Sequence, residues 1–266
     1  MESNAILETV NSIIFGSHGV WFLIGAALVY FMQAGFAMCE AGFTRAKNVG
    51  NIIMKNLMDF CLGTVAFIFV GYNILCGDAS KFWGGFTMNP FDFGSMDCYG
   101  FVFNLVFCAT CATIVSGAMA ERTKFLTYCI YSFVISLIIY PIEAHWVWGG
   151  GFLANLGALD FAGGLVIHVL SGVSGLVLCL LLGRRRGYGR MPMLPHHLPM
   201  TVLGGAMLWF GWFGFNAGSA LGAGPLAANA VLTTQMSAAI GIVGWVLVER
   251  YHRGKPTVLG AVSGGV

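Results

Sequence analysis

Long stretches without a charged residue alternate with short charged segments along this chain. Stretches free of Asp, Glu, Lys and Arg cover residues 9–39, 60–77, 98–120, 125–142, 161–183 and 191–248. The shorter ones match the roughly 20 residues with which an α-helix crosses a bilayer. The last is too long for one crossing, and it divides at Gly222-Ala-Gly-Pro225 because Gly and Pro interrupt helices.

This pattern predicts an all-α, polytopic membrane protein with a single transmembrane domain over residues 1–266. The predicted helices cover about residues 9–39, 52–77, 98–120, 125–146, 161–183, 200–221 and 226–248, with a partial eighth helix at 256–266. Composition agrees, since 58% of residues are hydrophobic and 9% are charged, against about 25% charged in soluble domains. A soluble fold is excluded, and a net charge of +2 is too small to indicate nucleic-acid binding.

The basic residues are distributed unevenly between the two sides of the predicted bundle. With the helices threaded in alternating directions, every Lys and Arg except Lys81 falls on one side. Cytoplasmic loops of membrane proteins carry such an excess of positive charge. The sequence therefore predicts a multi-pass protein of the cell membrane with its N-terminus outside and the 184–190 loop in the cytoplasm.

Two ionisable residues stand out near the fifth predicted helix. His168 lies within an apolar stretch, where an ionisable side chain is costly and marks a functional candidate facing a cavity or a partner. A neutral histidine that is hydrogen-bonded inside the bundle is the alternative. Asp160 immediately precedes this helix, and an N-cap role is our first interpretation because a carboxylate there accepts backbone N–H bonds.

Aromatic residues recur at helical spacing. Phe103 and Phe107 are four residues apart, as are Phe215 and Ser219. Such stripes usually pack in a core, but a stack of rings across a pore has the same spacing. Trp148, at the outer end of the fourth helix, is either an interfacial anchor or a ring face for a cation.

Several motifs together resemble the ammonium transporter (Amt/Mep/Rh) family. They occur in the order found in that family, and the similarity extends from about residue 18 to the end of the chain. The motifs are Gly35-Phe-Ala-Met-Cys-Glu-Ala-Gly-Phe-Thr-Arg-Ala-Lys-Asn48, Val115-Ser-Gly-Ala-Met-Ala-Glu-Arg122, Asp160-Phe-Ala-Gly-Gly-Leu-Val-Ile-His168 and Gly211-Trp-Phe-Gly-Phe-Asn-Ala-Gly-Ser219.

The resemblance implies a polytopic helical bundle of the ammonium transporter type with inverted-repeat architecture. The family fold has eleven crossings, of which the first ten form two inverted repeats around one pore per subunit of a trimer. This chain would then be cut off in the eighth helix, without the second pore histidine and the last three helices. We therefore expect the 266 residues alone to be inactive unless the native protein continues.

The resemblance also assigns roles to individual residues. Trp148, Ser219 and Phe107 match the substrate recruitment site. Phe107, Phe215 and Phe103 match the rings that close the pore mouth, and His168 matches a pore-lining histidine. Asp160 matches a carboxylate that supports the site. No catalytic residue, metal or cofactor is expected, and the protein is not expected to be an enzyme.

The implied function is ammonium and ammonia transport. NH4+ is recruited at the outer aromatic and serine site and deprotonated, and NH3 passes through a hydrophobic, histidine-lined pore. The expected partners are ammonium or ammonia, methylammonium, the lipid bilayer and further copies of the chain in a homotrimer. A cytoplasmic regulatory protein of the PII type is a further candidate partner.

Two other functions compete with transport. An ammonium sensor, or transceptor, would need a cytoplasmic output domain, and these residues contain none. A rhomboid-like intramembrane serine protease is suggested by the GxSG sequence Gly172-Val-Ser174-Gly175. Such an enzyme needs a histidine within hydrogen-bond reach of the serine, whereas His168 is six residues earlier on the same predicted helix.

Overall fold

The computed structural model describes residues 2–87, 92 and 98–266, and these residues form a bundle of long helices. A 3₁₀ turn opens α2, and a short helix, Phe152–Asn155, follows α4. The main helices are α1 (Glu2–Phe43), α2 (Ala46–Cys76), α3 (Cys98–Met119), α4 (125–147), α5 (Gly164–Leu182), α6 (Leu198–Ala217), α7 (Pro225–Arg253) and α8 (Val258–Gly265).

The helices α1 to α7 are long and apolar enough to cross a membrane. The prediction of an all-α membrane protein is therefore confirmed. The helix that was predicted at 52–77 begins earlier, at Ala46, because its polar residues are accommodated inside the bundle. Lys55 and Asp59 on this helix are 1% and 0% exposed.

The third helix forms the centre of the bundle. Most side chains of α3 are buried, and the helix packs against α1, α2 and α5. A membrane helix with side chains buried on nearly all faces is surrounded by other helices rather than by lipid, and 72% of this span is buried, against 6% of α7. Its position brings Phe103 and Phe107 into the interior, where they are 6% and 1% exposed.

Small residues let α1 and α6 approach each other closely. A Cβ atom on Gly35 would lie 3.0 Å from the carbonyl oxygen of Gly204, and one on Gly214 would lie 2.7 Å from that of Gly25. Glycine faces of this kind let membrane helices pack backbone against backbone. Gly214 therefore has a packing role in the contact between α1 and α6.

The two ends of the bundle differ in charge and chemistry. We call the end with the 184–190 loop the basic end, and the opposite end the Trp148 end. At the basic end Arg45 donates to Glu121 from its backbone nitrogen (2.8 Å) and from its guanidinium (2.7 Å), and Arg185 lies 3.7 Å from the same carboxylate. Glu121 lies in the turn between α3 and α4 and has a positive φ of 64°. Because Arg45 directly follows α1, its pairing with Glu121 holds this turn against α1.

The pairing changes the acidity of Glu121. Burial alone would raise the pKa of this carboxyl, but hydrogen bonds from the Arg45 side chain and backbone outweigh burial and lower the pKa to about 2. Glu121 is therefore ionised under all ordinary conditions.

Lys55 lies within α2, as the predicted helix 52–77 already had it, and its side chain points into the bundle. Its ammonium group donates to Glu40 at 3.0 Å inside the bundle. The position of a buried ammonium group that is paired with a carboxylate depends on the packing of the helices. Such a group gives no information on which side of the membrane a loop lies. The remaining basic residues carry the predicted asymmetry, and the outside location of the N-terminus stays a prediction.

Candidate substrate pathway

The segment before α5 is organised by Asp160. Its carboxylate accepts backbone N–H bonds from Gly163, Gly164, Leu165 and Val166 at 2.7–2.9 Å. The residue that precedes the helix is Gly163, in the left-handed conformation at φ +95°, so Asp160 is not the N-cap residue itself. The turn between them folds the carboxylate back onto the N–H groups that a helix start leaves unpaired.

This turn also fixes Trp148. The indole nitrogen of Trp148 donates to the backbone oxygen of Asp160 at 2.9 Å. The ring contacts Phe107 edge-to-face, with centroids 6.0 Å apart at 73°. Trp148 therefore presents a fixed face to a cavity of about 620 Å³ at the Trp148 end. The cavity is lined by Phe22, Phe103, Asn104, Phe107, Trp148, Asp160 and Ser219, among others.

Two phenylalanines close the inner end of this cavity. Phe107 of α3 and Phe215 of α6 are stacked, with centroids 4.3 Å apart and planes 22° apart. Each is 1% exposed. Phe103 lies against Phe107 at 4.6 Å. Rings in direct contact leave no space for a hydrated ion between the cavity and the bundle interior.

His168 lies beyond the stacked pair. Its ring is 5.8 Å from Phe215 and 5.7 Å from Trp212, and it lines a second cavity of about 520 Å³. Asn216 also lines this cavity and donates to Thr234 at 3.0 Å. The structure thus brings the sequence-predicted residues together in a fixed order from Trp148 and Ser219, through the rings, to the histidine.

Ser219 is half-buried at the mouth of the pathway. Its hydroxyl donates to the backbone oxygen of Phe215 at 2.7 Å, one turn earlier on α6. The hydroxyl proton is used in this bond, so the oxygen lone pairs are what Ser219 presents to a ligand in the cavity.

Sequence reasoning missed three lining residues. Phe22 of α1 packs edge-to-face on Phe103 at 5.4 Å, and nothing in the α1 pattern distinguishes it from other apolar residues. Asn104 follows Phe103 directly, and a polar residue between two stripe aromatics was a usable signal. Trp212 lies within the 211–219 motif, but its contact with His168 depends on the fold.

The GxSG sequence on α5 has no partner histidine. Ser174 follows His168 by six residues on one helix, which is about 9 Å along the axis at 1.5 Å per residue. A serine protease needs its base about 3 Å from the nucleophile. The hydrogen bonds of the described residues include none between Ser174 and a histidine.

Comparison with known proteins identifies related sequences over nearly the whole chain. Residues 20–266 match the model of the Ammonium Transporter Family. The ammonium transporter Amt2 of Archaeoglobus fulgidus is 46% identical over 270 residues, which cover 92% of this chain and 57% of that protein. This chain therefore spans less than two thirds of the length of that relative.

Solved structures are similar in fold. A protein described as Sensor Amt Protein superposes with a TM-score of 0.88 at 30% identity, and the match covers 96% of this chain and 69% of that one. Mep2 of Candida albicans superposes with a TM-score of 0.87 at 29% identity, covering 94% of this chain and 58% of that one.

Proposed function

The chain belongs to the ammonium transporter family, and we propose that it carries ammonium nitrogen across the cell membrane. NH4+ binds at the Trp148 end and loses its proton there, and NH3 passes between Phe107 and Phe215 towards His168. One observation carries the proposal. The stacked pair at 4.3 Å separates the cavity that holds Trp148 and Ser219 from the histidine.

Recruitment depends on rings and a hydroxyl. An aromatic face attracts a cation with about 0.5–2 kcal/mol, and the faces of Trp148, Phe103 and Phe107 line one cavity. K+ is similar to NH4+ in size and charge, so ring faces alone discriminate poorly. The lone pairs of Ser219 accept an N–H bond, which K+ cannot donate.

Passage requires loss of charge. An intact cation in the apolar interior would cost several kcal/mol, and the contact between Phe107 and Phe215 excludes its water. NH3 is neutral, and small ring movements admit it. His168 then offers a polar imidazole in an otherwise apolar wall, where NH3 finds a hydrogen-bond partner.

Uptake of labelled methylammonium into cells or vesicles that contain the native protein tests this function. We expect saturable uptake that ammonium competes away, and at least a tenfold loss of uptake with His168→Ala. His252→Ala is the matched control because His252 is exposed near the end of α7, and it should keep wild-type uptake. Absence of ammonium-sensitive uptake by the native protein, or full uptake by His168→Ala, would refute the proposal.

Sensing is the second candidate function. The superposition with a structure titled Sensor Amt Protein at a TM-score of 0.88 favours it, because the two chains share one fold. The two functions differ in flux. A sensor would bind ammonium, measured by calorimetry on the purified native protein, and show no methylammonium uptake.

The remaining parts of the proposal concern the setting of the pathway. The basic end faces the cytoplasm, which places Trp148 and the N-terminus outside. The assembly is a homotrimer, and a PII-type protein binds the cytoplasmic face. The asymmetry of the Arg residues around 184–190 supports the orientation.

A further inference from the structure

Asn104 is a polar side chain in the wall of the Trp148-end cavity that the proposed pathway does not use. It belongs to α3, is half-buried, and lines the cavity together with Phe103, Phe107 and Ser219. Polar side chains inside a membrane bundle are costly and mark substrate paths. The direction of the Asn104 amide therefore bears on what the cavity binds.

Helical geometry places Asn104 on the flank of Phe107 that is opposite Phe103. Each residue of an α-helix advances by about 100° around the axis, so Phe103 is about 40° from Phe107 in one direction and Asn104 is about 60° from it in the other. Phe103 is on the side of α1 and α6, because its ring packs on Phe22 at 5.4 Å and lies 3.0 Å from a Cβ placed on Gly218. Asn104 therefore lines the cavity from the other side of the Phe107 ring.

The amide of Asn104 is held by its own helix. Its Nδ2 donates to the backbone oxygen of Gly100 at 2.9 Å, one turn earlier on α3. The nitrogen and the oxygen branch from the same planar carbon, so a nitrogen that is turned towards the α3 backbone leaves the oxygen directed away from it. Within the described part of the chain, no group donates to Asn104 Oδ1. The lone pairs of this oxygen are what Asn104 presents to a ligand in the cavity.

The other polar side chains of this wall are turned in the same way. The Ser219 hydroxyl donates to the backbone oxygen of Phe215 at 2.7 Å, and the Trp148 indole donates to that of Asp160 at 2.9 Å. The Asp160 carboxylate is occupied by four backbone N–H groups. The groups that this wall leaves for a ligand are therefore ring faces and two oxygens, one from Ser219 and one from Asn104.

A wall of this kind fits a cation that donates hydrogen bonds in several directions. NH4+ carries four N–H groups in a tetrahedral arrangement and has no lone pair. Ser219 belongs to α6, on the Phe103 side of Phe107, and Asn104 lies on the opposite flank. Two N–H groups can thus reach the two oxygens while the others point at ring faces, which are weaker acceptors.

We propose that Asn104 is a specificity-determining contact of the substrate site, whose Oδ1 accepts one N–H bond from the bound cation while Ser219 accepts a second. The inference rests on the proposed transport function, and it adds a choice among ammonium ions of different substitution. A cation needs at least two N–H groups to bond both oxygens. Ammonium has four and methylammonium three, whereas trimethylammonium has one.

The site therefore ranks cations by the number of N–H groups that they carry. The cavity of about 620 Å³ is large enough for trimethylammonium, and ring faces attract every such cation. Size and charge consequently leave the ranking to the second N–H bond. A hydrogen bond with a charged partner corresponds to about tenfold or more in affinity, so loss of the Asn104 oxygen should affect ammonium strongly and trimethylammonium little.

Competition against uptake of labelled methylammonium tests this contact in vesicles that contain the native protein. Unlabelled ammonium and trimethylammonium are the competitors, and their inhibition constants are compared between wild type and Asn104→Leu. Leucine has nearly the shape of asparagine but no acceptor. We expect the inhibition constant of ammonium to rise about tenfold in the variant, while that of trimethylammonium changes less than about threefold because its single N–H still bonds Ser219.

Two further variants separate the amide oxygen from packing. Asn104→Gln keeps the oxygen on a longer side chain, and it should hold the inhibition constant of ammonium within about threefold of wild type. Asn104→Ala removes the acceptor without adding an apolar branch, so a folding failure of the leucine variant leaves the prediction testable. In the alanine variant the inhibition constant of ammonium should rise at least about threefold, since a water replaces the amide oxygen only in part.

Thr110→Val is the matched control. Thr110 lies on the same helix, and its hydroxyl donates to the backbone oxygen of Val106 at 2.8 Å, as the Asn104 amide does to Gly100. Thr110 is 0% exposed and is not among the described residues that line the cavity. The variant loses a local bond of the same kind without losing a cavity acceptor, so it should keep both wild-type inhibition constants.

Two results would overturn the role of Asn104. One is an inhibition constant of ammonium within twofold of wild type in both the leucine and the alanine variant. The other is an equal rise for ammonium and trimethylammonium, which would assign the effect to the shape of the cavity. Either result leaves the transport proposal standing, since that proposal is decided by uptake in the wild type and in His168→Ala.

Discussion

Ser219 shows how one hydrogen bond sets what a site accepts. Its hydroxyl proton is donated to the Phe215 carbonyl oxygen at 2.7 Å, so only the lone pairs face the cavity. A lone pair accepts N–H bonds from ammonium and offers K+ nothing directional. The selectivity of the proposed site therefore depends on a bond inside α6 as much as on the serine itself.

Ser219→Ala should weaken substrate binding more than turnover. A hydrogen bond to a charged group contributes about 1.5–3 kcal/mol, and about 1.4 kcal/mol corresponds to a tenfold change in affinity. We expect the KM for methylammonium uptake to rise at least about tenfold, with a maximal rate within threefold of wild type, in uptake measured over a range of concentrations.

Ser219→Thr provides the control for this prediction. Threonine keeps both the donated bond to Phe215 and the lone pairs, so its KM should stay near the wild-type value. An equally high KM for the threonine and alanine variants would assign the effect to packing at the cavity mouth rather than to the hydroxyl oxygen.

At the scale of elements, two π-helical turns contain residues of the proposed site. His168 lies in the π turn Gly164–Val169 and Phe215 in Phe213–Ala217. The other two π turns of the described residues, Phe67–Gly71 and Ile135–Ile139, contain no residue of that site. A π turn holds one extra residue per turn and re-aims the side chains that follow, and such turns concentrate at functional sites.

These turns mark the limit of what the sequence predicts. The charge-free runs predicted the helices, and four-residue spacing placed Phe103 with Phe107, because hydrophobicity and helical period depend on local sequence. A π turn has the same composition as an α turn, so the aim of His168 was not predictable. The burial of Lys55 against Glu40 depends on the packing of α1 against α2, which no local pattern encodes.

The α3–α4 turn should be sensitive to acid. The pKa of Glu121 is lowered to about 2, from an ordinary value of 4.5, so its pairing with Arg45 stabilises the fold fully above pH 4.5. This stabilisation declines as the pH falls towards 2. Glu121→Gln should lower the free energy of unfolding by about 1–3 kcal/mol at pH 7, and the difference from wild type should shrink between pH 4.5 and pH 3. Thermal unfolding in detergent measures both effects.

Arg253→Ala is the comparison for this experiment. Arg253 pairs with Glu249 at 3.4 Å, but its side chain is 75% exposed, and exposed pairs contribute about 0–1 kcal/mol. Its melting temperature should match wild type at both pH values. A Glu121→Gln difference that stays constant from pH 7 to pH 3 would contradict an ionic role for Glu121.

At the scale of the whole molecule, the ring-lined pathway lies to one side of the central helix. It lies between α3, α5 and α6, where Phe107, His168 and Phe215 meet. Most side chains of α3 are buried, so this helix holds the rings of the pathway in the interior of the bundle.

The ring-lined pathway has a direction only if the bundle has a fixed orientation, and the charge distribution predicts one. Arg184, Arg185 and Arg186 stand at the basic end with Arg45, and positively charged loops remain in the cytoplasm. An epitope tag inserted after Gly187 should therefore bind antibody only in permeabilised cells. A tag after Gly157, at the Trp148 end, should bind antibody in intact cells, which checks expression and surface delivery. Staining of the Gly187 tag in intact cells would reverse the orientation and make the Trp148 cavity a cytoplasmic exit.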